Sequence, residues 1–172
     1  MLLLLKAAQW APSCFNKQEW RFTLVEREAA TRKDLEEALS RGNAWAKEAP
    51  LLITVSADPT QSCMEKRNYY AYDAGMAVMC LVLQAEFLGL RVHQMAGWKT
   101  SKVRLALSIP DSQKILVVAA VGYQETDPDR LSQIGENNPQ MAEKIARSDN
   151  RTRNPIQDFT FEGKFGKPYL LE

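Results

Sequence analysis

Residues 11–20 read Ala11-Pro12-Ser13-Cys14-Phe15-Asn16-Lys17-Gln18-Glu19-Trp20, and the reading of this stretch decides the reading of the chain. An apolar segment with helical character, 2–10, precedes it, and a strand-like run to Glu26 follows. Proline disfavours helical geometry in the residue before it, so Pro12 is expected to end the helix. Ser13 and Asn16 then stand on an irregular loop with free hydroxyl and amide groups. Such a loop suits a flat polar heterocycle. On these ten residues alone a plain helix stop and turn is the better reading, because Pro, Ser and Asn all favour turns.

Outward from this loop, helices and strands alternate irregularly. Residues 20–26 alternate as a strand, with Phe22 and Leu24 on one face. Thr31 is expected to cap a helix running to about Ser40, and Arg41-Gly42-Asn43 to stop it. A short helical turn at 44–49 leads to Pro50 and an apolar, buried strand at 51–56. Residues 57–67 form a polar connection. The longest helix is expected at 69–88, apolar almost all round between Ala74 and Leu83 and therefore central. Gly75 on that helix implies a close backbone approach, since glycine there costs about 1 kcal/mol relative to alanine. Gly89 is a good C-terminal cap. A short strand at 91–95, a helix at 100–107 and an interior strand at 114–123 follow. Asp127-Pro128-Asp129 is expected to break the chain, before a short amphipathic helix at 139–147. From about residue 148 the sequence is polar, basic and aromatic, an extended arm. The pattern predicts an α+β sandwich with helices packed about one central sheet, and a single domain over 1–172.

Composition narrows the function. The chain has 172 residues, enough for one domain with a real core. Its 22 basic and 21 acidic residues nearly cancel, which argues against a general nucleic-acid or membrane-surface protein. The apolar run 74–83 is too short for a bilayer, which needs about 20 residues. The opening Met-Leu-Leu-Leu-Leu lacks a basic n-region, and Lys6 interrupts it, so it makes a poor signal peptide. Three widely spaced cysteines, Cys14, Cys63 and Cys80, form no CxxC pair; the odd number argues against a disulfide framework and for a reducing, cytoplasmic setting. One histidine, His93, leaves little for a metal site or an activated nucleophile. No Ser-His-Asp set or paired-carboxylate site is present, a pattern compatible with chemistry carried by a cofactor.

Four further stretches take the 11–20 loop beyond a plain turn. They are Asp73-Ala74-Gly75, then Gly89-Leu90 followed by Gln94-Met95-Ala96-Gly97, then Val121-Gly122-Tyr123, and Arg151-Thr152-Arg153-Asn154-Pro155. In this order the set resembles the nitroreductase family of FMN-dependent oxidoreductases, over nearly the whole chain. The resemblance implies a three-layer α/β/α sandwich whose central sheet is mixed, mostly antiparallel. It implies FMN at the interface of a homodimer, NAD(P)H as co-substrate, and ping-pong hydride transfer to a small electron-poor acceptor such as a nitroaromatic or quinone. A non-catalytic or weakly flavin-binding member, or a flavin-destroying or dehalogenating relative, is the alternative. By the same match Pro12, Ser13, Cys14 and Asn16 line the ring of the partner subunit's flavin. Gln94, Met95, Ala96 and Gly97 form the loop beneath it, with an N–H of Ala96 or Gly97 aimed at flavin N5. Asn43, with Lys47, meets the pyrimidine edge, and Lys17 is a second candidate cation. Arg151 and Arg153 hold the phosphate, since guanidinium groups bind it bidentately. The family's earlier Arg-x-Ser-x-Arg segment has no counterpart in these residues, so weak FMN binding is expected.

Overall fold

The computed structural model describes residues 1–137 and 152–169. Two compact units make up the chain, 1–124 and 125–172. The first unit contains helix α1 (Leu2–Gln9), strand β1 (Trp20–Glu26), helix α2 (Arg32–Ala38), strand β2 (Leu51–Ala57), helix α3 (Tyr69–Phe87), strand β3 (Arg91–Met95), helix α4 (Thr100–Leu107) and strand β4 (Lys114–Gly122). The strands lie in the order β1-β2-β4-β3. All three pairings among the described residues are antiparallel, within the α+β sandwich that the resemblance implies.

Strand periodicity sorts side chains onto two cores. Leu51, Ile53 and Val55 of β2 point to one face and pack with Leu4 and Ala8 of α1 and with Ala74, Ala77, Val78, Leu81 and Ala85 of α3. Leu52 points the other way, with Val25, Val118 and Met95, against Leu35 and Ala38 of α2 and Val103 of α4. Covered on both faces, β2 is buried along its whole length. The three layers expected are therefore present in this unit. Full burial of a side chain such as Leu52 or Leu35 contributes roughly 1.5–3 kcal/mol.

Helix α3 differs from the expected all-round burial. Its alanines meet α1 and the sheet, but Tyr72, Met79, Leu83 and Phe87 face outward, from 47% to 85% exposed. Gly75 shares that outward face, and a Cβ added there would meet nothing within 4 Å. Among the described residues no close approach explains the glycine. Thr31 sits at the start of α2, as expected, but its hydroxyl makes no capping bond.

The second unit, taken by itself, begins with helix α5 (Pro128–Asn137) where a chain break was expected. Proline suits the first helical position, where its missing N–H would have no partner anyway. The Asp127 carboxylate accepts the N–H of Asp129 at 3.0 Å and completes the start. Further on, a 3-10 turn (Ile156–Asp158) precedes a small closed bend in which Phe161 pairs with Pro168 and stacks on Phe165. The helix expected at 139–147 lies outside the described residues.

Candidate functional site

The loop between α1 and β1 is built against local preference. Its 3-10 turn, Cys14–Asn16, contains Phe15 at φ 50° and Asn16 at φ 56°, and Gln18 follows at φ 49°. Asparagine tolerates this left-handed region, but Phe15 and Gln18 pay on the order of 1 kcal/mol each. Cross-ties hold the shape. The Cys14 N–H donates to Asp73 Oδ2 at 2.9 Å, and the Gln18 N–H donates to Ser13 Oγ at 3.0 Å. Arg21 Nη1 donates to the Gln18 carbonyl at 3.0 Å. Asp73 is buried in α3, 1% exposed, so this contact joins the loop to the core. The Asn16 side-chain amide is exposed and has no partner among the described residues. Glu19, missed in the sequence, is 1% exposed, and neither carboxylate oxygen has a partner among the described residues.

Cys14 is also joined to Cys63, with their Cα atoms 5.9 Å apart. The expectation of no disulfide is corrected here. Counting cysteines ignores adjacency in space: Trp20 pairs with Ala57, so the loop entering β1 and the segment leaving β2 emerge side by side at one end of these two strands. The odd cysteine is Cys80 on α3, which is free.

The 94–97 segment is held more simply. β3 ends at Met95, which is buried in the core at 2% exposure. Gln94 and Ala96 are exposed. The Gly97 carbonyl accepts from the Ser40 N–H and from Asn43 Nδ2, both at 2.9 Å. A Cβ on Gly97 would collide with the Ser40 hydroxyl and lie 3.0 Å from Asn43 Nδ2, so glycine is required by these neighbours. Asn43 belongs to a 3-10 segment, Arg41–Glu48, in place of the expected stop. Arg32, another residue that sequence reasoning missed, anchors it. Its guanidinium, nearly buried, donates to the carbonyls of Ala46, Lys47 and Ala49 at 3.2, 3.2 and 2.7 Å and pairs with Glu36 at 2.6 Å. Lys47 and Lys17 are exposed. Trp45 meets the His93 ring edge-on, with centroids 5.0 Å apart.

Two groups of predicted residues therefore form, and among the described residues no hydrogen bond joins them. Pro12, Ser13, Cys14 and Asn16 stand at the β1 edge and are tied to α3. Asn43 and Gln94 to Gly97 stand at the β3 edge and are tied to the α2 side. Three strand spacings separate the edges, about 14 Å at 4.8 Å each. In the second unit Arg153 is exposed, and its Nη1 donates to the Thr152 carbonyl. Arg151 lies outside the described residues. Among those residues no cluster of three metal-ligating side chains exists, and no helix is long and apolar enough to cross a membrane.

The model of the Nitroreductase family matches the sequence over residues 2–44 and 39–123. A Mycolicibacterium smegmatis protein described as an uncharacterized 15.4 kDa protein in the ask 5' region is 32% identical over 130 residues, covering 76% of this chain and 81% of its own. A Thermus thermophilus protein named NADH dehydrogenase is 28% identical over 152 residues, covering 70% of this chain and 73% of its own. Among solved structures, an oxidoreductase containing FMN is 32% identical and superposes with a TM-score of 0.80, covering 96% of this chain and 81% of its own.

Proposed function

The chain belongs to the nitroreductase family, and on that premise we propose a homodimeric oxidoreductase, one FMN-binding domain per chain, that passes reducing equivalents from NAD(P)H to a nitroaromatic, a quinone or a similar acceptor. The observation that carries this reading is the separation of the two residue groups. A flavin ring needs both, and a second copy related by a two-fold axis brings the 12–16 loop of one chain to the 94–97 segment of the other. The outward stripe of α3, with Tyr72, Met79, Leu83 and Phe87 around Gly75, supplies an apolar face for that copy. Such an interface belongs to the obligate class of about 2,000 Å² or more.

The donor set fits the cofactor. Asn16 presents an uncommitted amide, and Ser13 keeps its O–H free to donate because its oxygen only accepts from Gln18. Asn43 has committed Nδ2 to Gly97 and keeps its carbonyl oxygen for a ring N–H. The Ala96 and Gly97 N–H groups are the donors toward N5, and Gln94 borders the same segment. Arg151 and Arg153 are the phosphate partners proposed from the sequence resemblance alone. FMN, when bound, supplies the two-electron carrier that receives a hydride from the nicotinamide and delivers one to the acceptor in a separate half-reaction. Since NAD(P)H is an intracellular reductant, the protein works in the cytoplasm.

The test combines sedimentation at falling protein concentration, with and without FMN, with the visible spectrum of protein freed of unbound flavin. A dimer retaining two flavins is expected, with a flavin band bleached by NADH or NADPH without air and restored by a quinone. A folded monomer holding one FMN defeats the shared site. Absence of saturable binding when the protein is titrated with FMN defeats the FMN reading.

A further inference from the structure

The loop assigned to the flavin ring is also the loop fastened by the disulfide. Cys14 sits between Ser13 and Asn16, and its bond crosses to Cys63, within the connection that leads from β2 into α3. Cys14 has two ties to the α3 side: this bond, and the hydrogen bond from its N–H to Asp73. The loop between them carries three non-glycine residues in the left-handed region, a shape that persists only while its surroundings impose it. Neither cysteine is fully buried; both are half-buried. Disulfides in proteins that work in the cytoplasm are usually transient, catalytic or redox-sensing.

We propose that the Cys14–Cys63 disulfide is a thiol-exchange site that locks the cofactor loop when oxidised and frees it when reduced. FMN affinity then follows the surrounding thiol poise. This rests on the FMN reading above, while the exchange itself does not. A low-molecular-weight thiol or a dithiol protein is the co-reactant. Its thiolate attacks one sulfur, the S–S bond breaks, and the other cysteine leaves as a thiolate and takes a proton. A second thiol then resolves the mixed disulfide. Overall, two thiols are oxidised to one disulfide, and Cys14 and Cys63 gain two electrons and two protons. Among the described residues, reduction leaves the hydrogen bond to Asp73 as the remaining tie of Cys14 to α3.

The experiment uses the whole protein, oxidised and then treated with millimolar glutathione or with dithiothreitol. Alkylation and mass measurement should rise from one labelled cysteine, Cys80, to all three. Trypsin cleavage after the exposed Lys17, read after full reduction of the digest, should quicken at least tenfold. The FMN dissociation constant, from titration, should rise at least tenfold and recover on reoxidation. Cys63→Ala should show the weak affinity without any thiol, and Cys80→Ser should respond as the parent does. A bond that resists both reductants, or cleavage and affinity unchanged with three cysteines labelled, overturns the proposal. Faster cleavage in a protein that binds no FMN in either state upholds the clamp and overturns the cofactor reading.

Discussion

The 12–16 loop and the 94–97 segment do comparable work by opposite means. The first departs from favourable backbone geometry at Phe15 and Gln18 and is held by ties to residues 49 and 59 positions away, Cys63 and Asp73. The second ends an ordinary strand and is held by hydrogen bonds from Ser40 and Asn43 to one carbonyl. A loop shaped by distant ties can be released without disturbing the sheet. A segment shaped by close packing changes only when the packing does.

The sharpest way to break this contrast is Gly97→Val. The new side chain meets Ser40 and Asn43 at a site with no space. Overpacking of this kind costs about 1–3 kcal/mol, and the upper end is expected, read as a lowered urea midpoint together with loss of FMN. Unchanged stability would show that the 94–97 segment is as adaptable as the other loop. Next comes Asp73→Asn, which weakens the acceptor of the Cys14 N–H. Hydrogen bonds to charged groups contribute about 1.5–3 kcal/mol, so a loss of roughly 2 kcal/mol is expected, with larger loss of FMN affinity in reduced than in oxidised protein. Equal loss in both states would mean that the two ties of Cys14 are not alternatives. The smallest effect has the opposite sign. Glu19→Leu removes a buried carboxyl that has no partner among the described residues, and replacing such a group by an apolar one is neutral to stabilising, by about 1 kcal/mol here. Destabilisation would show that Glu19 holds the loop.

The sequence reveals elements whose period is local. β1 alternates and β2 is a largely apolar run, and both stand where the pattern places them. The loop position of Ser13 and Asn16 follows from Pro12. What stays hidden depends on long-range order. β4 is made last of the four strands yet lies between β2 and β3, and this insertion puts the two residue groups at opposite edges. The Cys14–Cys63 bond depends on the β1–β2 register, which no count of cysteines contains. Arg32 looks in sequence like a solvated helix residue, and only the folding back of 41–48 supplies the carbonyls that bury it. Pro128 reads as a break because the same residue both ends one helix and opens another.

The bond between Cys14 and Cys63 makes a covalent ring of the chain from one to the other. The ring contains β1, α2 and β2 whole, and α3, β3, α4 and β4 lie downstream of it. During synthesis the chain grows from its N terminus, so this ring is complete in sequence before any of β4 exists. Two neighbouring strands of the sheet can thus be fastened together while the strand that will lie against β2 is still unmade. A peptide bond cut anywhere inside the ring leaves one connected molecule, so a nicked protein gains only the mass of one water and stays in one piece until a thiol opens it.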